Sequence, residues 1–209
     1  MKKYLLPLIL ILLITLYIVG NCLTYTSQYP PAQSDTYVKS TTKRDTTYWA
    51  YFATDPTKSL IGASSNKSWR SESSKITNQR FHIDLGSAKT IKRIYYENMH
   101  ITGNYTDMGV KNFTFWGSNT ASAFAELTYV TDTNWTQITT AQTTFDEHSE
   151  TDVANPKYIT VTNSTAYRYY AFKFADNYGQ VSNIGVRRIE LQTEDGWIPS
   201  GNALFWFNF

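Results

Sequence analysis

Hydrophobic and polar positions alternate most clearly from Gln79 to Glu97. Phe81, Ile83 and Leu85 interleave with His82 and Asp84, the period of a half-buried strand, which leaves His82 on the outer face of its sheet. Gly86-Ser87 breaks that run as a short turn, and the β-branched and aromatic stretch Ile91 to Tyr96 predicts a second strand. Further strands are predicted at Tyr48 to Phe52, Val110 to Trp116, Trp135 to Ile138, Tyr158 to Thr162, Arg168 to Phe174 and Val186 to Leu191. In the Arg168 run, Tyr170, Phe172 and Phe174 share one face. Ala121 to Leu127 reads as a single helical turn, and Thr140 to Pro156 as polar and irregular. Many short, punctuated strands without a long amphipathic helix predict an all-β protein, an antiparallel β-sandwich.

Composition narrows the function. Of 209 residues, 42% are hydrophobic and 16% aromatic, enough for a sizeable core. Only 17% are charged, and the polarity comes from Thr, Ser, Asn and Tyr instead. A net charge of +2 with no basic run argues against a nucleic-acid partner. No motif of an enzyme is present: no HExxH, GxSxG, P-loop or GxGxxG. The three histidines, His82, His100 and His148, have no metal spacing, and a lone cysteine rules out a thiolate zinc site.

The ends differ from the middle. Lys2 and Lys3 precede an apolar run from Leu5 to Val19, read as an N-terminal hydrophobic helix. It has the length of a signal-peptide core or a signal-anchor, and both readings place the rest outside the cytoplasm, with the membrane a partner if the segment stays uncleaved. Cys22 is either an unpaired thiol or a lipidation site in a box that departs from the usual form at Asn21. The expected layout is a signal or anchor over 1–22, a polar linker over 23–45, the sandwich over 46–193 and an aromatic tail over 194–209. In that tail Phe205, Phe207 and Phe209 alternate, as in a packing strand, a docking peptide for a protein partner, or the cut edge of a longer protein.

The order of the pieces resembles the discoidin, or coagulation factor 5/8 type C, domain and its bacterial relatives among family 32 carbohydrate-binding modules. Trp69 precedes Phe81-His82-Ile83-Asp84-Leu85-Gly86, and Ile91 to Tyr96 follows. Then come Phe113 to Asn119 with Phe124 and Leu127, next Trp135, then Arg168-Tyr169-Tyr170, and last Arg188-Ile189-Glu190-Leu191. The resemblance spans Thr46 to Thr193 and implies a galactose-binding-domain-like jelly roll. The disulfide that ties the ends of many animal members cannot form here, which points to the microbial or viral branches.

That resemblance implies a non-catalytic module that meets glycans on a surface with loops at one end of the sandwich. Sugar recognition needs a flat aromatic face and fixed hydrogen-bonding groups. Three segments offer both: Trp69-Arg70, His100 with Asn104 and Tyr105, and Asn177-Tyr178. The loops Asn98 to Gly109 and Asp176 to Gly185 are expected to converge on one shallow site. The resemblance also implies a structural calcium, for which Asp55, Thr57 and Glu190 occupy the comparable positions. The alternatives are a structural or adhesive surface or virion protein that binds another protein, and, less favoured, a glycan hydrolase. Asn-x-Ser/Thr sequons stand at Asn66, Asn104, Asn112, Asn134 and Asn163 and matter only in a source that glycosylates exported proteins.

Overall fold

A computed structural model describes the chain over residues 21–199. The expected N-terminal hydrophobic helix, the side chain of Cys22 and the alternating aromatics of the tail lie outside the described residues. Ten strands follow in order: β1 (Asn21–Gln28), β2 (Val38–Ser40), β3 (Trp69–Arg70), β4 (Gln79–Lys89), β5 (Arg93–Asn98), β6 (Phe113–Ser118), β7 (Thr136–Thr140), β8 (Lys157–Thr162), β9 (Tyr167–Phe174) and β10 (Gly185–Pro199). Among the described residues one short α-helix, α1 (Ala121–Ala125), stands where one helical turn is predicted. Among the described residues no helix is long and apolar enough to cross a membrane.

The strands form an antiparallel sandwich. One sheet carries β10, β5 and β8, with the two residues of β3 added to β10. The other runs β2, β4, β9, β6, β7. The pairs Thr139–Thr162 and Thr140–Val161 join β7 to β8 at one edge. Phe81, Ile83 and Leu85 of β4, Phe113 and Phe115 of β6, and Tyr170, Phe172 and Phe174 of β9 share one core with Ile94 and Tyr96 of β5 and Ile189 and Leu191 of β10. Each set sits at every second position of its strand, as the alternation predicts.

The chain falls into two compact units. Ser27–Thr193 is the larger and holds the sandwich. Within it Ser27 donates to the Glu190 carboxylate, and the Gln28 amide donates to Thr193 Oγ1. In the smaller unit, Thr26 bonds to the Asp195 carboxylate.

Three expectations need correction. Residues 27–45 are not a linker, because β2 pairs with β4 through Val38–Ile83, Lys39–His82 and Ser40–Phe81. As an edge strand, β2 needs only Val38 inside the core, so its composition looks like loop. The Tyr48 to Phe52 segment is not a strand; Ala50–Ala53 is a 3₁₀ turn that buries Ala50 and Ala53. Finally, Gly86 does not end β4. It sits inside the strand at φ 74°, where the register shifts, and a Cβ there would lie 2.5 Å from the Pro31 ring. β4 and β5 lie in different sheets, so their connection crosses the sandwich rather than closing a hairpin.

Two polar residues of the motifs prove structural. Asp84 accepts from Gly86 N–H at 2.7 Å and from Arg168 Nε and Nη2 at 2.8 and 2.9 Å. This bidentate pair ties the irregular end of β4 to β9. His82 does point to the outer face of its sheet, yet it is fully buried there. Phe124 and Trp135 cover it, within a second apolar cluster that also holds Ala123, Tyr169 and Ala171. Its Nδ1 lies 3.0 Å from the Phe124 carbonyl, and burial lowers its pKa from 6.5 to about 4.

The unfolded chain therefore binds a proton on His82 at a higher pH than the folded one does. That contribution to stability is fully present above about pH 6.5 and is lost as pH falls towards 4, reaching about 3 kcal/mol. In chemical unfolding across this range, His82→Asn, whose amide can keep the bond to Phe124, is expected to show a shallower loss than the parent. An unchanged slope would show that His82 does not carry the effect.

Candidate functional site

The loops Asn98 to Gly109 and Asp176 to Gly185 do converge. Tyr178 N–H and Gln180 N–H both donate to the Asp107 carbonyl, at 3.0 and 3.4 Å, and Val110 bridges to Asn177. A third segment joins them, the loop between β7 and β8. Together they line an open cleft of about 590 Å³, formed by Asn104, Tyr105, Thr106, Asp107, Glu147, Glu150 and Gln180. That volume falls in the range of small-molecule sites.

Tyr105 is the aromatic of this cleft. It is 58% exposed, and its ring and hydroxyl meet no partner among the described residues. Its backbone is left-handed, φ 57° and ψ 36°, as are Thr102 at φ 50° and Gly103 at φ 78°. A non-glycine residue in this region costs on the order of 1 kcal/mol, and the surrounding contacts must hold it there. Gly103 supplies the closest of these contacts. A Cβ on it would lie 2.8 Å from Thr151 C and 2.9 Å from Asp152 N, so only glycine lets the first loop touch the third.

The cleft is negative. Asp107, Glu147 and Glu150 line it, and no Lys, Arg or His does. Thr106 Oγ1 donates to Glu147 Oε1 at 2.7 Å, and Gln180 Nε2 lies 3.3 Å from both Asp107 oxygens. In a chain only 17% charged, three carboxylates around one opening are a concentration.

Beneath the cleft lies a buried polar floor. His100 and His148 stack with centroids 4.0 Å apart and planes 17° apart. His100 Nε2 lies 2.8 Å from the Leu60 carbonyl, and its Nδ1 accepts from Gly103 N–H at 3.1 Å. Arg187 is fully buried and donates to the carbonyls of His100, Ile61 and Gly62. Burial, then the Arg187 charge, lower the His100 pKa to about 4. Burial also lowers Arg187 to about 10 and raises the Glu97 carboxyl.

Of the residues expected to touch a ligand, only Asn104 and Tyr105 are exposed at the tips. Trp69 belongs to the core: it is fully buried, packs against Phe81 and Phe174, and donates Nε1 to the Thr42 carbonyl. Arg70 is turned inward to Asn183 Oδ1, at 2.7 Å, and to the Tyr48 hydroxyl. His100 is in the floor, not at the cleft edge. Asn177 folds back, its Nδ2 donating to the carbonyls of Gln180 and Asn183 and its Oδ1 accepting from Gly179 N–H. Tyr178 is half-buried, with its hydroxyl bonded to the Phe145 carbonyl and the Lys111 ammonium 5.5 Å above its ring. Trp69, His100, Asn177 and Tyr178 each satisfy a backbone group that the loops would otherwise leave unpaired, while Arg70 pairs with side chains. The glutamates 147 and 150, Asp107, Thr106 and Gln180 were not singled out in the sequence. The signal for them is the run Asp146-Glu147-His148-Ser149-Glu150, dense in charge for this chain.

A second cleft, of about 430 Å³, lies along β2 beside Trp49, Lys39, Lys43, Asp35 and Glu72. Its aromatic is already engaged, because Lys43 Nζ sits 3.8 Å from the Trp49 ring centre and Tyr51 stacks at 5.8 Å. Tyr105 is the unengaged platform of the two.

The three residues expected to bind calcium do not fit it. Asp55 Oδ1 accepts from Thr57 N–H and Oγ1, at 3.0 and 2.7 Å, and Oδ2 faces Lys58 Nζ at 3.8 Å. Glu190 accepts from Ser27 and pairs with Arg188 at 3.1 Å. The Arg188 guanidinium also donates to the Lys58 carbonyl at 2.6 Å, so a protein cation already bridges the two segments. Among the described residues no group of three or more His, Cys, Asp or Glu side chains is placed to hold a metal ion.

A family model, DUF5000, described as a domain of unknown function, matches residues 58–191. No curated protein matches the chain. Several solved structures share its fold at low identity. A mutant of chitosan-binding module 1, derived from a chitosanase/glucanase of Paenibacillus sp. IK-5, superposes with TM-score 0.51 at 17% identity, over 81% of this chain and 100% of that one. The family 32 carbohydrate-binding module of Streptococcus pneumoniae EndoD gives 0.53 at 13%, over 79% and 98%. The family 32 module of C. perfringens NanJ, in complex with galactose, gives 0.50 at 13%, over 81% and 100%. The sandwich is thus the galactose-binding-like fold of these modules.

Core and tip are separable by substitution. Trp69→Ala is expected to cost about 3–5 kcal/mol in chemical unfolding, while Tyr105→Ala stays within about 0.5 kcal/mol of the parent. Tyr178→Ala should fall between them, because it removes a buried hydrogen bond and part of a packed ring. Chelation by EDTA is expected to leave the melting temperature unchanged; a drop of several degrees would mean that a bound cation stabilises the fold and would reopen Asp55, Thr57 and Glu190 as its ligands.

Proposed function

The chain belongs to the DUF5000 family, and we propose that its sandwich is a non-catalytic module, outside the cytoplasm, that binds glycans at the cleft of Tyr105. The observation that carries this reading is a bare aromatic ring at the mouth of an open, polar cleft, raised on loops whose ends are fixed by strands. A Tyr face takes the apolar side of a pyranose ring, and the amides of Asn104 and Gln180 with the carboxylates meet its hydroxyls. The shared fold of carbohydrate-binding modules supports the reading without fixing the ligand. The lysine-flanked apolar segment at residues 1–22 is the basis for placing the module outside the cytoplasm.

Charge narrows the ligand class. Asp107, Glu147 and Glu150 repel uronic or sialic acid units and favour neutral or amine-bearing sugars. One of the structures sharing the fold is named a chitosan-binding module, and an amino sugar is the ligand that this lining would prefer. Affinity for a single site should be weak, since a shallow cleft buries little area.

Calorimetry with chitohexaose, galacto-oligosaccharides and oligogalacturonate tests this. Binding is expected in the order amine-bearing, neutral, anionic, and the first should weaken with salt. Tyr105→Ala should lose about tenfold, the stacking share of roughly 1–1.5 kcal/mol, without loss of fold. Equal binding of oligogalacturonate, or no effect of Tyr105→Ala, would sink the assignment to this cleft.

A further inference from the structure

We propose that the stacked His100–His148 pair is an acid-sensitive latch that holds the first and third loops together and releases the cleft when the surroundings acidify. This rests on the cleft being the glycan site, and it adds a control to that site.

Hydrogen bonding assigns the protons. His100 Nδ1 accepts Gly103 N–H at 3.1 Å, while Nε2 faces the Leu60 carbonyl at 2.8 Å. A carbonyl only accepts, so Nε2 carries the hydrogen, Nδ1 carries none, and the ring is neutral. His148 differs. Its Nδ1 lies 2.6 Å from the Ser149 carbonyl and its Nε2 3.1 Å from the Val153 carbonyl. Both nitrogens face carbonyl acceptors, and Glu97 Oε2 lies 4.0 Å from Nε2. A neutral His100 ring stacks against His148, and a proton on His100 would bring a charge into a ring contact of 4.0 Å.

A proton on His100 does three things at once. It fills Nδ1 and breaks the bond to Gly103 N–H. It places a cation against the face of the His148 ring. And it adds charge beside Arg187, whose Nε is bonded to the His100 carbonyl at 3.0 Å. Asp152, 3.9 Å from His100 Nδ1, offsets this only in part, because its carboxylate is already committed to Gly62 N–H at 2.7 Å. Glu97 acts in the same direction: buried, it takes up its own proton at a higher pH than an ordinary glutamate, which removes a negative charge 4.0 Å from the His148 ring. Glu97 Oε2 also accepts from Asn155 N–H at 2.8 Å and Oε1 from the Tyr95 hydroxyl at 3.1 Å, and Arg188 of β10 adds a positive charge beside the carboxylate.

The pair stands between the two walls of the cleft. His100 anchors the turn of Thr102 and Gly103 that leads to Asn104 and Tyr105, and His148 sits between Glu147 and Glu150. Their loops touch where Gly103 meets Thr151 and Asp152. Breaking the stack therefore separates Tyr105 from the carboxylates that share its ligand.

With the closed form taking its proton at about pH 4 and an open form at 6.5, opening should grow on the order of 100-fold between pH 7 and pH 4.5. Amide hydrogen exchange at Gly103, corrected for intrinsic rate and read against Phe172 in the core, measures that opening with no sugar present. Protection at Gly103 should fall steeply in the parent and stay nearly flat in His100→Gln, which can still donate to Leu60 but cannot be protonated. Ring-nitrogen NMR at pH 7 should show His100 as the neutral Nε2–H tautomer. It decides the matter even if His100→Gln folds poorly. Identical pH profiles in parent and variant, or a charged His100 at pH 7, would overturn the latch. Chitohexaose affinity at pH 7 and pH 5 forms a separate arm, expected to drop in the parent and to drop less in the variant. Absence of chitohexaose binding at both pH values would count against the glycan reading, while the exchange profile would still judge the latch.

Discussion

Buried guanidinium groups hold the irregular half of this protein in place. The strands satisfy their own backbone, but the long loops bury carbonyls that no ladder reaches. Arg187 of β10 gathers the carbonyls of His100, Ile61 and Gly62, and so fixes the loop after β5 against the loop before β3. Arg80 of β4 does the same for the segment after α1, collecting the carbonyls of Thr128, Tyr129 and Thr131 with the Asp132 carboxylate. Taking a cation out of water is costly. It is offset here because one rigid fork of donors pairs several carbonyls, each of which would cost on the order of 1–3 kcal/mol if left alone. Neither cation is a ligand group, although each lies next to a loop tip.

The strands were legible because their alternation runs long enough to exclude other periods. Phe81, Ile83 and Leu85, and again Tyr170, Phe172 and Phe174, could only be one face of a sheet. The failures lie where the pattern is short. Over the five residues from Tyr48 to Phe52 the run is too short to separate a strand from a 3₁₀ turn, and the turn buries Ala50 and Ala53 while Trp49, Tyr51 and Phe52 stay half-buried. β2 shows one buried residue, Val38, among Ser, Thr and Lys, which is indistinguishable from a linker until its partner β4 is known. The site was legible as a place and not as a residue set. Fixed strand ends bring the two loops together, and that much follows from topology. Which side chains then face outward depends on which backbone groups need partners. His100 and Asn177 were drawn inward by that demand, and Tyr105, with no such demand to meet, was left outside.

Tyr105 is left bare at a cost in backbone strain. Three of the four residues from Thr102 to Tyr105, namely Thr102, Gly103 and Tyr105, lie in the left-handed region, two of them without glycine's help. The turn keeps this shape because Gly103 is clamped between His100 Nδ1 and the backbone of Thr151 and Asp152. The same clamp brings Glu147 and Glu150 to the far side of the opening. Strain, aromatic exposure and negative charge therefore share one mechanical cause, the meeting of two loops over a histidine stack.

The floor and the walls of the cleft answer differently to acid. Arg187, lowered only to about 10, keeps its charge and its carbonyls through the whole range in which imidazoles change state. The floor that it builds from residues 59–62 and His100 therefore persists. The contact between the walls depends instead on an unprotonated nitrogen, His100 Nδ1, held neutral by burial and by the permanent charge of Arg187 beside it. The arginine that makes the floor rigid thus also sets the threshold at which the wall lets go. Removing that charge would weaken the floor and, at the same time, let the imidazole take its proton at a higher pH. Rigidity and acid sensitivity in this cleft are two consequences of one buried cation.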